Sequence, residues 1–414
     1  VKLLVFAHKP PPHHGQSYMA ELVLSSLGGD VRGKTGNQRP ETSNSVIACY
    51  HVNARYSTSI PDVGRVRCGK VWLAFKYSLE AIWCRFRWGV TSLYYIPAFP
   101  GRIPVYRDWI VLSLCRPLFK RIIYHWQAAG LGEWLASGAK PWERWLTRAL
   151  MGKPDLSIVL SEYCRGDALA LDSRRTEVIP NGIPDPCPDF DKEVLPFRIA
   201  RRTARAALVA GAAAPVQATR WFKVLFLSLC TREKGLFDTL EAVAVVNLRL
   251  ARDLSPLRVH LSVAGEFWRE PEKIEFEQRI ARPDLNGGAA DSPDTVVRYC
   301  GFVAGEEKRR LFRESDCFCF PSYYQAESFG IVLVEAMAHG LPIIAGRWRS
   351  IPELLPPGYG GLVEPRSPEQ IAAALEELLR QDYDPALRAR FLEHYTDHKF
   401  AGGMKSTLLS LPPI

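Results

Sequence analysis

Two carboxylates, Glu327 and Glu335, stand eight residues apart in the stretch FCFPSYYQAESFGIVLVEAMAHGLPIIA, residues 318–345. The pattern predicts a strand, a loop, a helix and a second strand. Gly330 lies between the two acids and permits a tight backbone turn close to a ligand. The helix that follows would offer free N–H groups and its positive dipole end to an anion. Carboxylates accept hydrogen bonds from hydroxyls. A ligand with both an anionic group and hydroxyls, such as a phosphorylated sugar, suits this pair of demands.

Other chemistry-bearing residues fall at predicted strand ends. PPPHHG, residues 10–15, follows the first strand. His125 closes the strand in IIYHW. VIPNGIPDP covers residues 178–186. Lys234, in EKG, follows the strand KVLFLSL. Glu266 ends VAGE, and VVRYCGFV covers residues 296–303. In this order the motifs resemble those of retaining glycosyltransferases of the GT-B fold, family 4, whose signature is Glu-x7-Glu. The resemblance covers most of the chain.

That resemblance implies roles. Glu335 would accept the ribose hydroxyls of a nucleotide, and Glu327 would contact donor-sugar hydroxyls near the anomeric carbon. Main-chain amides of Phe329, Gly330 and Ile331, beside Ser328, would hold the sugar or diphosphate. Lys234 would neutralise the diphosphate leaving group, as transition-state electrostatics requires. His125 would lie over the donor sugar, and Glu266 matches the acidic position after its strand. Gly15 matches half of a Gly-Gly loop near the donor phosphates, with Gln16 in place of the second glycine. The family usually carries an Arg where Leu229 stands here, so Arg232 is the candidate to supply that charge. The resemblance supplies no carboxylate nucleophile, which implies front-face transfer with retention. No Asp-x-Asp motif stands in a nucleotide site, so transfer without a cofactor or metal is expected.

The elements that must position these residues alternate. Strands are expected at 1–7, 45–52, 92–96, 121–125, 156–160 and 177–179, with helices at 17–27, 69–87 and 108–118. A Pro/Asp-rich and then Ala/Arg-rich stretch interrupts the pattern. A second series follows, with strands at 223–229, 259–264, 296–299, 317–321 and 342–345. Its helices are expected at 235–252, 271–282, 304–314, 331–339 and 367–380. Strands alternating with helices indicate doubly wound α/β sheets. Such sheets bind ligands beyond the carboxyl ends of their strands. Two such Rossmann-like domains would face each other across a cleft, and the resemblance implies that this architecture is GT-B. Residues 1–190 form the acceptor domain, 191–220 a linker and 221–390 the nucleotide-sugar domain. Residues 391–414 resemble the family's tail that returns to the first domain, with Tyr395 and Phe400 docking there.

The 414 residues hold 47% hydrophobic residues, enough for large cores. No apolar run reaches the ~18 residues of a membrane span, and a signal peptide is not expected from the opening strand. Ten scattered cysteines form no C-x-x-C pair and read as small buried hydrophobes in a reducing compartment. The net charge is +9. Much of it lies beside Trp72, Phe75, Trp83, Phe86, Trp88 and Trp109. A solvated face and an anionic membrane surface both fit this patch, whereas no nucleic-acid motif accompanies it. The leading expectation is a cytoplasmic enzyme, peripheral at the inner face of a membrane. It would move a sugar from a nucleotide-sugar donor to a saccharide or lipid-linked acceptor in polysaccharide or glycolipid synthesis. A nucleotide-sugar epimerase and a catalytically degenerate partner subunit are the alternatives.

Overall fold

In the computed structural model, the described residues are 1–11, 15–33, 47–56, 68–211, 220–285, 295–381 and 384–413. The His13–His14 pair and the polar loop at 287–293 lie outside them. The chain divides into two units. The first comprises residues 1–184, 325–329 and 395–414; the second comprises 185–324 and 330–394.

The first unit is built on six parallel strands in the order β2-β1-β3-β4-β5-β6. These are Lys2–Ala7, Ala48–Asn53, Ser92–Tyr95, Arg121–His125, Leu156–Val159 and Thr176–Val178, numbered in chain order. The inner strands are continuous apolar runs, as expected of a parallel sheet covered on both faces. Four helices matter below: α1 (Gly15–Ser26), α2 (Cys68–Trp88), α3 (Arg102–Cys115) and α4 (Pro141–Met151). Helix α3 begins earlier than the sequence pattern suggests, at Arg102 rather than 108. Helix α4 was not anticipated. Pro141 opens it, and the Glu143 carboxylate accepts the Lys140 N–H at 2.6 Å.

The second unit repeats the plan, with order β12-β11-β10-β7-β8-β9. Its strands are β7 (Trp221–Leu227), β8 (Arg258–Ala264), β9 (Val297–Gly301), β10 (Cys317–Phe320), β11 (Ile343–Gly346) and the short β12 (Leu362–Val363). Helices α5 (Leu195–Val209), α6 (Leu236–Arg252), α7 (Glu270–Ile280), α8 (Gly305–Glu314), α9 (Ile331–Ala338), α10 (Pro368–Leu378) and α11 (Ala386–His394) belong to it.

The segment expected as a linker therefore contains a helix, α5, that is pinned to the second unit. Asp316, buried at the start of β10, receives Arg205 at 3.0 Å and Arg201 at 3.2 Å. Arg198 donates to the carbonyls of His339 and Gly340 at 2.7 and 2.8 Å. The arginines of this stretch are what bind it.

Residues 395–413 add helix α12 (Asp397–Leu409) to the first unit. Tyr395 and Phe400 are both buried. The Tyr395 carbonyl accepts the Ile183 N–H at 2.9 Å, and Arg121 donates to the Pro412 carbonyl.

Candidate functional site

In the second sheet, the chain runs from β7 outward to β8 and β9, then returns to β10 on the other side of β7. The carboxyl ends of β7 and β10 therefore flank the topological switch point, where doubly wound sheets bind their ligands. Lys234 lies in the turn after β7. The loop of residues 321–330 follows β10.

These two segments are tied together. The Glu233 carbonyl accepts the Tyr323 N–H at 2.8 Å. The Lys234 ammonium lies 4.8 Å from the Tyr324 ring centroid and 5.4 Å from that of Phe320, over both rings. Such contacts hold a cation by about 0.5–2 kcal/mol. Gly235 ends the turn at φ +82, and a Cβ there would meet Pro321 at 2.5 Å. Only glycine suits both the backbone angle and the gap.

Arg232 takes another direction. Its guanidinium pairs with Glu275 on α7 at 2.5 Å and lies over the Phe237 ring. The hydrogen bond from Arg232 holds the Glu275 carboxyl below its usual range. Arg232 is thus balanced by an acid in this structure. Glu266 is exposed after β8, and its carbonyl accepts the Cys230 N–H at 2.9 Å. That crossing is possible because residue 265 is glycine: a Cβ there would lie 1.8 Å from the Ser228 carbonyl oxygen.

Gly330, at φ +74, precedes α9, and Ile331 is the first helical residue. Glu335 sits in the middle of this otherwise apolar helix. Its Oε1 takes an ion pair from Lys308 of α8 at 2.5 Å. Its Oε2 is buried with no hydrogen-bond partner among the described residues. A buried acceptor in this condition calls for an explanation, since such groups are nearly always paired.

In the first unit, Glu327 and Ser328 are buried. Ser328 Oγ donates to the Gln127 carbonyl at 2.7 Å. Phe329 packs edge-on against Tyr395, with centroids 5.9 Å apart. The His125 ring is fully buried, stacked on Phe400 at 6.3 Å. Gln127 and Asn181 pair their amides reciprocally, at 3.0 and 3.2 Å. The Gln127 amide nitrogen then donates to His125 Nε2 at 2.8 Å. Nδ1 is hydrogen-bonded to the Tyr94 hydroxyl. Burial pushes the His125 pKa down to about 3, so the imidazole is neutral at physiological pH. With both nitrogens engaged, the ring positions Gln127, and through it Ser328, instead of facing a ligand itself. Gly15 is exposed at the first turn of α1, and Gln16 is half-buried beside it.

The sequence reading missed Lys308, Gln127 and Tyr94. Lys308 lies in EEKRRLF, where the run of charges looks like an ordinary solvated helix face. Gln127, two residues beyond a strand end, carried a weak positional signal.

Residues 222–381 match the family described as glycosyl transferases group 1. The D-inositol 3-phosphate glycosyltransferase of Corynebacterium kroppenstedtii is 36% identical over 178 residues, 40% of this chain and 38% of that protein. The chain thus spans well under half the length of that relative. Among solved structures, Anabaena HepE in complex with UDP-glucose superposes with a TM-score of 0.62 at 17% identity. The match covers 99% of this chain and 100% of that one. Sucrose-phosphate synthase from Thermosynechococcus elongatus gives 0.64 at 18% identity, over 99% and 98%. Two parallel Rossmann-like sheets and these likenesses give the chain the GT-B fold, and its residues 222–381 are similar to the glycosyl transferases group 1 family.

Proposed function

We propose that this protein is a retaining glycosyltransferase that moves a sugar from a nucleoside-diphosphate sugar to a saccharide or lipid-linked acceptor. The observation that carries this reading is Glu335. Its carboxylate oxygen lacks a partner among the described residues, on the helix that follows the β10 loop, and Lys234 follows the strand on the other side of the switch point. A ribose hydroxyl would satisfy the oxygen, and a diphosphate would meet the ammonium. The complex of Anabaena HepE with UDP-glucose supports a donor of this class.

In the reaction, the bond between the anomeric carbon and the diphosphate oxygen breaks. The acceptor oxygen bonds to the anomeric carbon on the same face, and its proton passes to the departing diphosphate. Lys234 and the amides of Phe329, Gly330 and Ile331 stabilise the charge that develops on the leaving group, so the step runs without a metal. Glu327 orients the donor sugar, and the His125–Gln127–Ser328 chain holds the segment that carries it. A lipid-linked acceptor would place the enzyme at a membrane surface, in glycolipid or cell-surface polysaccharide synthesis.

Thermal shift with a panel of nucleoside diphosphates and their sugars, with and without EDTA, tests the donor site. Selective stabilisation that EDTA leaves unchanged is the expected result. No stabilisation by any member would favour a catalytically degenerate subunit. Glu327→Ala is expected to abolish transfer while leaving the fold intact, as followed by circular dichroism. Unchanged turnover would remove Glu327 from the mechanism.

A further inference from the structure

Helix α2 is packed in an unusual sense. The side it buries consists of small residues: Ala74, Ser78, Ala81 and Cys84, all 0% exposed. Its large apolar side chains point outward. Trp72, Phe75, Leu79, Trp83 and Phe86 recur every three or four residues, which puts them on one ridge of the helix. They are 67, 41, 59, 54 and 68% exposed. A helix that serves only its own core turns its large apolar residues inward.

The ridge does not stand alone. The crossovers β2–α2–β3, β3–α3–β4 and β4–α4–β5 all step in one direction along the sheet. Right-handed crossovers then place α2, α3 and α4 on a single face. Helix α4 adds Trp142 and Trp145, at 51 and 70% exposed.

The charge of this face is one-sided. The three helices carry eight Lys and Arg against three acids. Each acid is already ion-paired: Glu80 with Arg32, Asp108 with Arg107, and Glu143 with Arg102. Lys76 and Arg87 stand exposed beside Phe75 and Phe86, and Arg148 is exposed on α4. Tryptophans and phenylalanines among exposed cations suit the boundary between lipid headgroups and acyl chains. A second copy of this chain would set the same cations against one another, whereas an anionic headgroup layer complements them.

We infer that the α2–α4 face is a docking surface for an anionic lipid bilayer, with the α2 ridge entering the interface and its cations meeting lipid phosphates. This deepens the proposed use of a lipid-linked acceptor, but vesicle binding is measured without donor and stands or falls separately.

The test is co-sedimentation of the purified protein with vesicles of phosphatidylcholine alone or mixed with phosphatidylglycerol, across a salt series. Binding should require phosphatidylglycerol and weaken with salt. Lys76→Gln and Arg87→Gln should each lower the partition coefficient roughly fivefold. Trp83→Ser with Phe86→Ser should lower it about tenfold or more, even at low salt. Thermal shift by the donor nucleotide should be the same in every variant, which shows that the site and fold remain. Wild-type protein left in the supernatant with anionic vesicles would overturn the inference, as would binding indifferent to both sets of variants. A concentration-dependent dimer that the aromatic variant dissolves would assign the face to a second copy instead.

Discussion

Lys308 holds one oxygen of Glu335 and leaves the other to a ligand. The pair is partly exposed, with 27% of the lysine and 19% of the glutamate side chain accessible. Replacing Lys308 by Met leaves a mostly enclosed carboxylate without its counter-ion. This should cost about 1–3 kcal/mol, below the range for a fully buried pair. A nucleoside diphosphate should then recover more stability in Lys308→Met than in the wild type, because a ribose hydroxyl would supply a donor that Glu335 has lost. Equal ligand-induced shifts in the two proteins would argue that Glu335 does not meet the ligand. At this scale the sequence was informative where a residue type is rare for its place. A glutamate inside the apolar helix IVLVEAMA is such a residue, and so is a lysine in a turn just after a strand. It was uninformative about partners. Nothing in EEKRRLF marks which lysine turns inward, and nothing near His125 foretells that its ring would be sealed by Tyr94, Gln127 and Phe400.

The turns after strands β7 and β8 depend on glycine for a steric reason as much as a conformational one. Gly235→Ala would combine a positive φ with a Cβ in contact with Pro321. We expect a loss of about 2 kcal/mol or more in urea denaturation. Binding of nucleoside diphosphates should weaken as well, since Lys234 is the adjacent residue. A variant as stable as the wild type, with unaltered binding, would show that the turn has slack that the close approach to Pro321 denies. Most elements were legible because parallel strands with both faces covered are short continuous apolar runs between polar helices. Helix α5 was half legible. Ala and Arg favour helix, but no local pattern shows that Arg198, Arg201 and Arg205 point toward buried carbonyls and Asp316. Helix α4 was missed because its tryptophans and arginines blur the apolar periodicity, and two of those tryptophans are not core residues at all.

At the scale of the molecule, four histidines among the described residues, His51, His125, His260 and His339, have their pKa lowered mainly by burial. For His339 the value falls to about 4. The unfolded chain binds these protons at the ordinary histidine pKa of ~6.5, so in this window it holds more protons than the native state. Stability must therefore fall as pH drops below ~6.5 and continue falling toward the depressed native values. The slope is up to ~1.4 kcal/mol per pH unit for each fully buried histidine. Melting temperatures measured from pH 7.5 down to 5 should decline steadily, before most carboxylates titrate. A flat profile over that range would mean the histidines keep their protons out at no cost to the fold.

The first unit draws on both ends of the described chain, with residues 395–413 packed against β4 and the segment around Ile183. During synthesis its first 184 residues emerge early, yet the strand-end histidine lacks its Phe400 cover until translation reaches residue 400. The second unit, continuous in sequence except for residues 325–329, is complete by residue 394. Chain order and completion order therefore differ: the later unit has all its residues before the earlier one receives helix α12.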